Sequence, residues 1–97
     1  MNVIARKTLK LFWERHADAE GPLKAWFSEV EHALWKGPAD IRRTYGSADF
    51  LQGNRVVFNI GGNKYRLIVK IAYTPRIVYI RFVGTHAEYD SVDAESI

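Results

Sequence analysis

The sequence predicts an α+β fold in which two to three helices pack on one face of a small antiparallel β-sheet. Apolar residues recur at helical spacing in the first half of the chain, and the period changes to two from Arg55 onward. The 97 residues are too few for a second hydrophobic core, so we expect a single domain over residues 1–97.

The first half of the chain carries two helical stripes. Residues 2–4 can form a short first strand, and residues 5–16 are predicted to form a helix. The residues of its apolar stripe, at i, i+3, i+4 and i+7, are Leu9, Phe12, Trp13 and His16. A second helix is expected to begin after Asp18, a suitable N-cap. Its stripe consists of Leu23, Trp26, Phe27, Val30 and Leu34.

Glycine and proline mark the end of the helical half. Gly37 and Pro38 are expected to end the second helix. Residues 38–45 then form one short helical passage, and Gly46 ends it.

Three strands follow, over residues 55–60, 64–73 and 76–85. Gly61-Gly62 is a strong hairpin signal, because primed turns need positive φ and glycine supplies it without steric cost. Thr74-Pro75 is a weaker signal for the second hairpin.

Burial decides the register of the two hairpins. If both loops have two residues, Phe58 faces Tyr65, Val69 faces Ile80 and Leu67 faces Phe82. The apolar face then consists of Val56, Phe58, Tyr65, Leu67, Val69, Ile71, Val78, Ile80 and Phe82. The opposite face collects Arg55, Asn59, Lys64, Arg66, Lys70, Tyr79 and Arg81. We expect the helices to cover the apolar face and to leave the basic face open.

Charge is strongly segregated along the chain. The 38 residues between Asp49 and Glu88 contain no acidic residue, although the net charge is only +3. Because the basic groups of this stretch gather on one sheet face, that face is a suitable place for an anion such as a phosphate backbone.

Several classes of function are disfavoured by composition. The chain has no cysteine, which excludes disulfides and thiolate metal sites and suits a reducing cytoplasm. No long apolar run suggests a signal peptide or a membrane span. No pair of histidines has metal-ligand spacing, so we expect no metal and no cofactor.

Three segments together resemble a known family. Residues 59–67 (NIGGNKYRL), 78–82 (VYIRF) and 84–90 (GTHAEYD) are similar to the HigB toxins of bacterial toxin–antitoxin pairs, within the RelE-like superfamily. The resemblance extends to the N-terminal residues 3–9 and to residues 38–40. It implies a RelE-like fold and a bacterial, cytoplasmic endoribonuclease that cuts messenger RNA, often on the ribosome.

The resemblance also implies a partner. A toxin of this kind is silenced by a cognate helix-turn-helix antitoxin (HigA-like), and any contact with DNA would come through the antitoxin complex. The basic face could attract acidic antitoxin segments as well as RNA.

Four residues are predicted to carry the chemistry. Cleaving RNA without a metal uses the 2′-OH as the nucleophile, and the enzyme must move protons and stabilise negative charge on phosphorus. Arg66 and Arg81 are expected to hold the phosphate, because a guanidinium meets two phosphate oxygens. His86 is the expected general acid or base, and Tyr89 would position the substrate or donate a proton. Strict alternation would put His86 on the apolar face, but a helical turn over residues 87–89 would re-aim both side chains.

Binding of RNA outside the reaction centre is expected from a second group of residues. Its members are Arg55, Asn59, Lys64, Lys70 and Tyr79. A solvated strand face is the alternative for the basic residues, and simple packing at the end of the chain is the alternative for His86 and Tyr89.

Two other functions stay open at this point. The same fold could poison a protein target without cutting RNA, as do RelE-like proteins that act on gyrase. It could also bind RNA without cleaving it.

Overall fold

The computed structural model describes residues 1–97 and contains four helices and five strands. The helices are α1 (Arg6–Arg15), α2 (Glu20–His32), α3 (Pro38–Thr44) and α4 (His86–Asp90). The strands are β1 (Asn2–Ile4), β2 (Asp49–Leu51), β3 (Arg55–Ile60), β4 (Tyr65–Ala72) and β5 (Ile77–Thr85). A 3-10 turn, Ala17–Ala19, joins α1 to α2.

Helices α1 and α2 bury most of the stripes that the sequence predicts. The buried side chains are Leu9, Phe12 and Trp13 of α1 and Leu23, Trp26 and Val30 of α2. They pack against the apolar face of the sheet, where Trp26 and Phe58 meet edge to face with ring centroids 5.4 Å apart. Burial of such a stripe, rather than helix propensity, is what holds helices of 10 and 13 residues.

The start of α2 differs from the prediction. Ala19 occupies the N-cap position and makes no side-chain hydrogen bond. The carboxylate of Asp18, the expected cap, instead accepts hydrogen bonds from Lys64 and Tyr65. The contact with Lys64 therefore engages the Asp18 side chain, which the local sequence predicts to cap the helix.

The end of α2 also comes earlier than expected. The helix ends at His32, so Leu34 lies outside it and is 65% exposed instead of completing the stripe. The amino group of Met1 donates hydrogen bonds to the carbonyl oxygens of Val30 and Ala33, at 3.2 and 2.7 Å. These contacts satisfy carbonyl groups that a helix end leaves without partners.

The sheet has the order β1-β5-β4-β3-β2 and is mixed. Strand β1 pairs with β5 in parallel, whereas the other three pairings are antiparallel. The α+β class is therefore confirmed, but the purely antiparallel sheet is wrong at one edge.

Strand β2 was not predicted from the sequence. It pairs with β3 through a turn in which Gly53 and Asn54 both have positive φ, at 71° and 59°. Glycine and asparagine tolerate this conformation, so Gly53-Asn54 was the available signal for this hairpin.

The β3–β4 hairpin keeps the predicted faces but not the predicted register. Ile60 pairs with Tyr65 and Phe58 with Leu67, so residues 61–64 form a four-residue loop. The register differs from the prediction by two residues, and a shift of two leaves every strand side chain on its expected face. Lys64 is the exception, because it now lies in the loop.

The β4–β5 pairing contains an irregularity in β5. Beyond it, the β5 side chains lie on the opposite face from the predicted one. Val69 pairs with Ile80 as predicted, but Ile68 pairs with Phe82, so Arg81 is an extra residue without a partner. Beyond this β-bulge, Val83 instead of Phe82 faces Leu67 and packs against the core. The predicted core position of Phe82 is therefore wrong.

Candidate active site

The sheet face opposite α1, α2 and α3 carries three rows of side chains that run across the strands. One row is Arg55, Lys70 and Tyr79, the next is Val57, Ile68 and Phe82, and the third is Asn59, Arg66 and Gly84. The two polar rows lie four residues apart on β4, which is about 13 Å along a strand. An apolar row separates them, so this face is not a continuous basic surface.

The expectation that this face is open is wrong. Val57 and Ile68 lie on it, yet they are 2% and 0% exposed. Nε of Arg55 donates to the main-chain oxygen of Ile97 at 3.1 Å, and the Gln52 amide donates to Glu95 at 3.3 Å. The chain after α4 therefore crosses this face, because its apolar row has to be kept from water.

Arg66 is the best-placed functional side chain. It is half-buried in the third row, with its Cζ atom 5.5 Å from the centroid of the Tyr89 ring. This stacking on an aromatic face fixes the guanidinium plane without neutralising its charge. Arg66 belongs to no ion pair, so its charge is available to an anion.

Three polar atoms in this part of the molecule are buried without a hydrogen-bond partner. They are Oδ1 of Asn59, Nε of Arg66 and Nε2 of His86. Asn59 lies directly opposite Arg66 on the neighbouring strand, and its amide nitrogen donates to the carbonyl of Ser47 at 3.2 Å. Unsatisfied buried groups are few in native proteins, and two of these three belong to the directly paired residues Asn59 and Arg66.

A capping box positions the helix that carries His86 and Tyr89. The Glu88 backbone N–H donates to Oγ1 of Thr85 at 3.2 Å, and the Thr85 N–H donates to the Glu88 carboxylate at 2.9 Å. These reciprocal bonds start α4 directly at the end of β5. The predicted helical turn is confirmed, and it brings Tyr89 over Arg66.

Gly84 allows α4 to lie close to the sheet. A Cβ atom at this position would lie 2.5 Å from Cζ of Phe82 and 3.1 Å from Cβ of Glu88. Gly84 pairs with Arg66, so this close packing lies on the face of the candidate site.

Electrostatics keep Glu88 ionised. Its pKa is lowered first by the hydrogen bond from the Thr85 backbone, and the Thr85 side chain and the positive charge of Arg15 lower it further. The lowered pKa favours the carboxylate form, which accepts the capping-box hydrogen bond from the Thr85 N–H.

The structure does not place Arg81 beside Arg66. Arg66 pairs with Gly84, three positions from Arg81, which corresponds to about 10 Å along β5. Arg81 is exposed at the bulge. The predicted diagonal contact between the two arginines is wrong, because the bulge shifts the register by one residue.

Lys64 also lies elsewhere than predicted. It leaves the β3–β4 loop toward the helices and forms an ion pair with Asp18, next to Tyr65. The pKa of Asp18 is lowered, mainly by its hydrogen bond with Lys64. The placement of Lys64 on the basic face is therefore wrong.

The other predicted RNA-binding residues form the first row. Arg55 is half-buried and held by Ile97, whereas Lys70 and Tyr79 are directly paired and exposed. The structure thus brings Arg66, Asn59 and Tyr89 to one end of the face, with His86 on the same helix as Tyr89, and leaves Lys70 and Tyr79 at the other end.

Sequence reasoning missed two contributors to the site. Thr85 and Glu88 form the capping box, and the spacing Thr-x-x-Glu was the signal for it. No sequence pattern predicted that the residues after α4 cross this face of the sheet.

The structure contains neither a cluster of metal-ligating side chains nor a helix that could span a membrane. No three His, Cys, Asp or Glu side chains are grouped so that they could hold a metal ion. None of the helices is long and apolar enough to cross a membrane.

Comparison with known proteins gives one consistent result. Residues 19–92 match the model of the HigB toxin family, described as the RelE-like toxic component of a toxin-antitoxin system. The chain is 30% identical over 92 residues to the mRNA interferase toxin HigB of Escherichia coli K12, covering 93% of this chain and 88% of that protein. The same figures hold for the mRNA interferase HigB of Escherichia coli O157:H7 and of Shigella flexneri.

Proposed function

This chain belongs to the HigB toxin family, the RelE-like toxic component of a toxin-antitoxin system, and we propose that it is a metal-independent endoribonuclease that cleaves messenger RNA and thereby inhibits translation. The observation that carries the proposal is the guanidinium of Arg66, which belongs to no ion pair and lies 5.5 Å from the ring of Tyr89, on the helix that also carries His86. The names of the similar proteins, which are mRNA interferases, support the same activity.

Arg66 is the proposed phosphate-binding residue. Attack of a ribose 2′-OH on the adjacent phosphate adds negative charge to the phosphorus oxygens. A fixed guanidinium that is already aimed at those oxygens stabilises this charge without reorganising during the reaction. Nε of Arg66 has no protein partner, so a phosphate oxygen would satisfy it.

His86 and Tyr89 are the proposed proton-transfer and positioning residues. The His86 ring makes no hydrogen bond that fixes its proton on one nitrogen, which leaves the imidazole free to accept and donate in turn. Tyr89 shields Arg66 on one side and offers an aromatic surface on which a base can stack. Asn59, opposite Arg66, has a free carbonyl oxygen for a 2′-OH or a base edge.

The second polar row is proposed to bind the RNA backbone. Lys70 and Tyr79 are exposed at the far end of the same face, so RNA that extends from Arg66 over the outside of the C-terminal segment would meet them. Arg55 joins them only if it exchanges the oxygen of Ile97 for a phosphate oxygen. Arg81 is proposed as a further backbone contact, because its exposed side chain lies between the two rows.

Membership of the family supports a proposal about the cellular setting. A toxin of a toxin-antitoxin system implies a cognate antitoxin and an RNA substrate. We place the activity in the bacterial cytoplasm and on ribosome-bound messages, with a HigA-like helix-turn-helix antitoxin that links the complex to DNA.

The test is cleavage of a message during translation in vitro, mapped by primer extension. Discrete cuts are expected with the native toxin. Arg66→Ala should slow cleavage about 10²–10³-fold, the usual effect of removing one group that stabilises transition-state charge. His86→Ala should slow it about 10²–10⁴-fold. Lys10→Ala, which removes an exposed cation from α1, is the matched control and should change little.

Three results would contradict the proposal. Growth arrest with intact transcripts would favour a protein target. Retention of RNA without cuts would favour a binding protein. Cuts of equal rate in native toxin and Arg66→Ala would remove Arg66 from the reaction.

A further inference from the structure

A second surface lies at the opposite end of the sheet from Arg66. It is a cleft of about 350 Å³ between the segment that follows α2 and the β4–β5 turn. The lining residues are Leu34, Trp35, Lys36, Tyr73, Thr74 and Arg76. Arg66 and Tyr73 are seven positions apart on and just after β4, which is about 23 Å. The cleft is therefore separate from the candidate active site.

The cleft combines an exposed apolar side chain with two free cations. Leu34 is 65% exposed, more than any other large apolar residue of the chain. Lys36 and Arg76 take part in none of the three ion pairs of the molecule. The nearby carboxylate of Asp40 is already engaged by Arg43 and by the backbone N–H of Lys36, at 2.8 Å each. The cations therefore remain available to an external acid.

Arg76 is held in a backbone conformation that does not suit it. Its φ of 61° lies in the left-handed region, which glycine adopts freely and an arginine adopts only against a steric penalty. The turn would form more easily with glycine there, so the arginine side chain is not explained by the turn. Strained residues of this kind are often kept for a contact made by the side chain.

We propose that this cleft is a docking site for the cognate antitoxin, and that it takes a segment in which an apolar side chain lies beside carboxylates. The apolar side chain would cover Leu34, and the carboxylates would pair with Lys36 and Arg76. RNA is the weaker candidate because Trp35 is only 6% exposed and offers no free ring face for a base. Phosphate, in turn, gains nothing from an exposed leucine.

Docking here has a specific consequence for regulation. A segment bound about 23 Å from Arg66 does not compete directly with the reacting phosphate. The antitoxin would therefore be anchored at this end of the toxin independently of whatever it does at the active site.

The experiment measures the affinity of the antitoxin by competition against labelled native toxin. Leu34→Ser combined with Arg76→Gly should weaken binding roughly tenfold or more, as expected for loss of a central apolar and arginine contact. Leu11→Ser is the matched control, because Leu11 is 53% exposed on α1, and it should leave the affinity unchanged. Arg76→Gly alone should weaken antitoxin binding. The midpoint of thermal unfolding of this variant should equal or exceed that of the native toxin.

The outcomes separate this inference from the proposed function. RNA cleavage by the free toxin should be the same in native toxin and in Leu34→Ser/Arg76→Gly. Unchanged antitoxin affinity in the double variant would overturn the docking site. A loss of RNA binding or cleavage in the double variant would assign the cleft to RNA and would also overturn it. A native toxin that binds antitoxin through the cleft but cuts no RNA would contradict only the nuclease proposal.

Discussion

Asp18 forms its ion pair with Lys64, a residue 46 positions later in the chain. Together with Tyr65 these residues tie the start of α2 to the β3–β4 loop. No local pattern announces such a contact. A residue that looks like an N-cap has the same short acidic side chain as a partner for a distant cation, and only the fold decides between them.

We expect this ion pair to make the free energy of unfolding depend on pH in the acidic range. The pKa of Asp18 is lowered, chiefly by Lys64 and then by Tyr65, so the ionised form is favoured in the folded state. The stabilisation is fully present above the ordinary carboxylate pKa of about 4 and is lost as pH falls through the lower folded value. In urea titrations, the difference between native protein and Asp18→Asn should shrink below about pH 4. Parallel curves for the two proteins down to pH 2 would contradict it, and Asp90→Asn is the control.

Arg66 and Arg81 show the limit of strand parity at the scale of single residues. In the predicted strands, alternation points both side chains to the same side of the sheet, so both are expected on the basic face. Parity places Arg66 correctly, since no irregularity lies between it and the β3–β4 loop. It fails to place Arg81 next to Arg66, because one extra residue in β5 changes every pairing beyond it.

At the scale of elements, α4 is the shortest helix, yet it carries two of the residues proposed for the reaction, His86 and Tyr89. Its five residues cannot be stable alone, so the capping box and packing over Gly84 must hold them. The sequence predicted this helical turn, but only as an alternative to strict alternation for His86.

Removing the N-cap of α4 should lower the rate of RNA cleavage but leave the stability of the whole protein almost unchanged. Thr85→Ala deletes the oxygen that accepts from Glu88, which costs about 1 kcal/mol at the helix start. Because α4 lies at the edge of the fold, the unfolding midpoint should change little, whereas cleavage should fall about tenfold or more as His86 and Tyr89 lose their positions. Thr85→Ser keeps the hydroxyl and should retain activity. Equal activity of Thr85→Ala and native toxin would show that α4 does not need its cap.

The sequence predicted the large elements well because their signals are local. Helical stripes and alternating strands follow from which side chains must be buried, and a loop that was two residues longer than expected did not disturb them. Strand β2 is too short for a periodic signal of its own, and only the Gly53-Asn54 turn beside it indicates a hairpin. The parallel pairing of β1 could not be read from local pattern, since its partner lies some 75 residues away.

The whole molecule has a second, smaller apolar layer beneath its last residues. Ile68 and Val57 are buried on the face that the sequence assigns to solvent and RNA. The chain after α4 reaches Gln52 and Arg55 and closes over them. The last residues, which include Asp93 and Glu95, thus cover part of a face that also carries Arg55, Arg66 and Lys70, and their negative charge opposes the approach of other anions.

Truncating Ile68 tests this second layer. If the face were open, Ile68→Ala would have almost no effect, but full burial predicts a loss of about 2–4 kcal/mol in the free energy of unfolding. Lys70→Ala is the control, because Lys70 is exposed two positions further along the same strand and face, and it should stay within about 0.5 kcal/mol. Chemical denaturation of the two variants measures both values, and a neutral Ile68→Ala would mean that the last residues do not cover the sheet.

The parallel pairing of β1 with β5 affects how the protein folds during synthesis. Asn2 has Ile77 as its strand partner, 75 residues later in the chain, and His86 follows nine residues after Ile77. Contacts across so much chain form slowly because a long loop has to close first. During synthesis the sheet therefore stays incomplete until β5 has been made, and the segment that carries the proposed site residues His86 and Tyr89 follows directly after it.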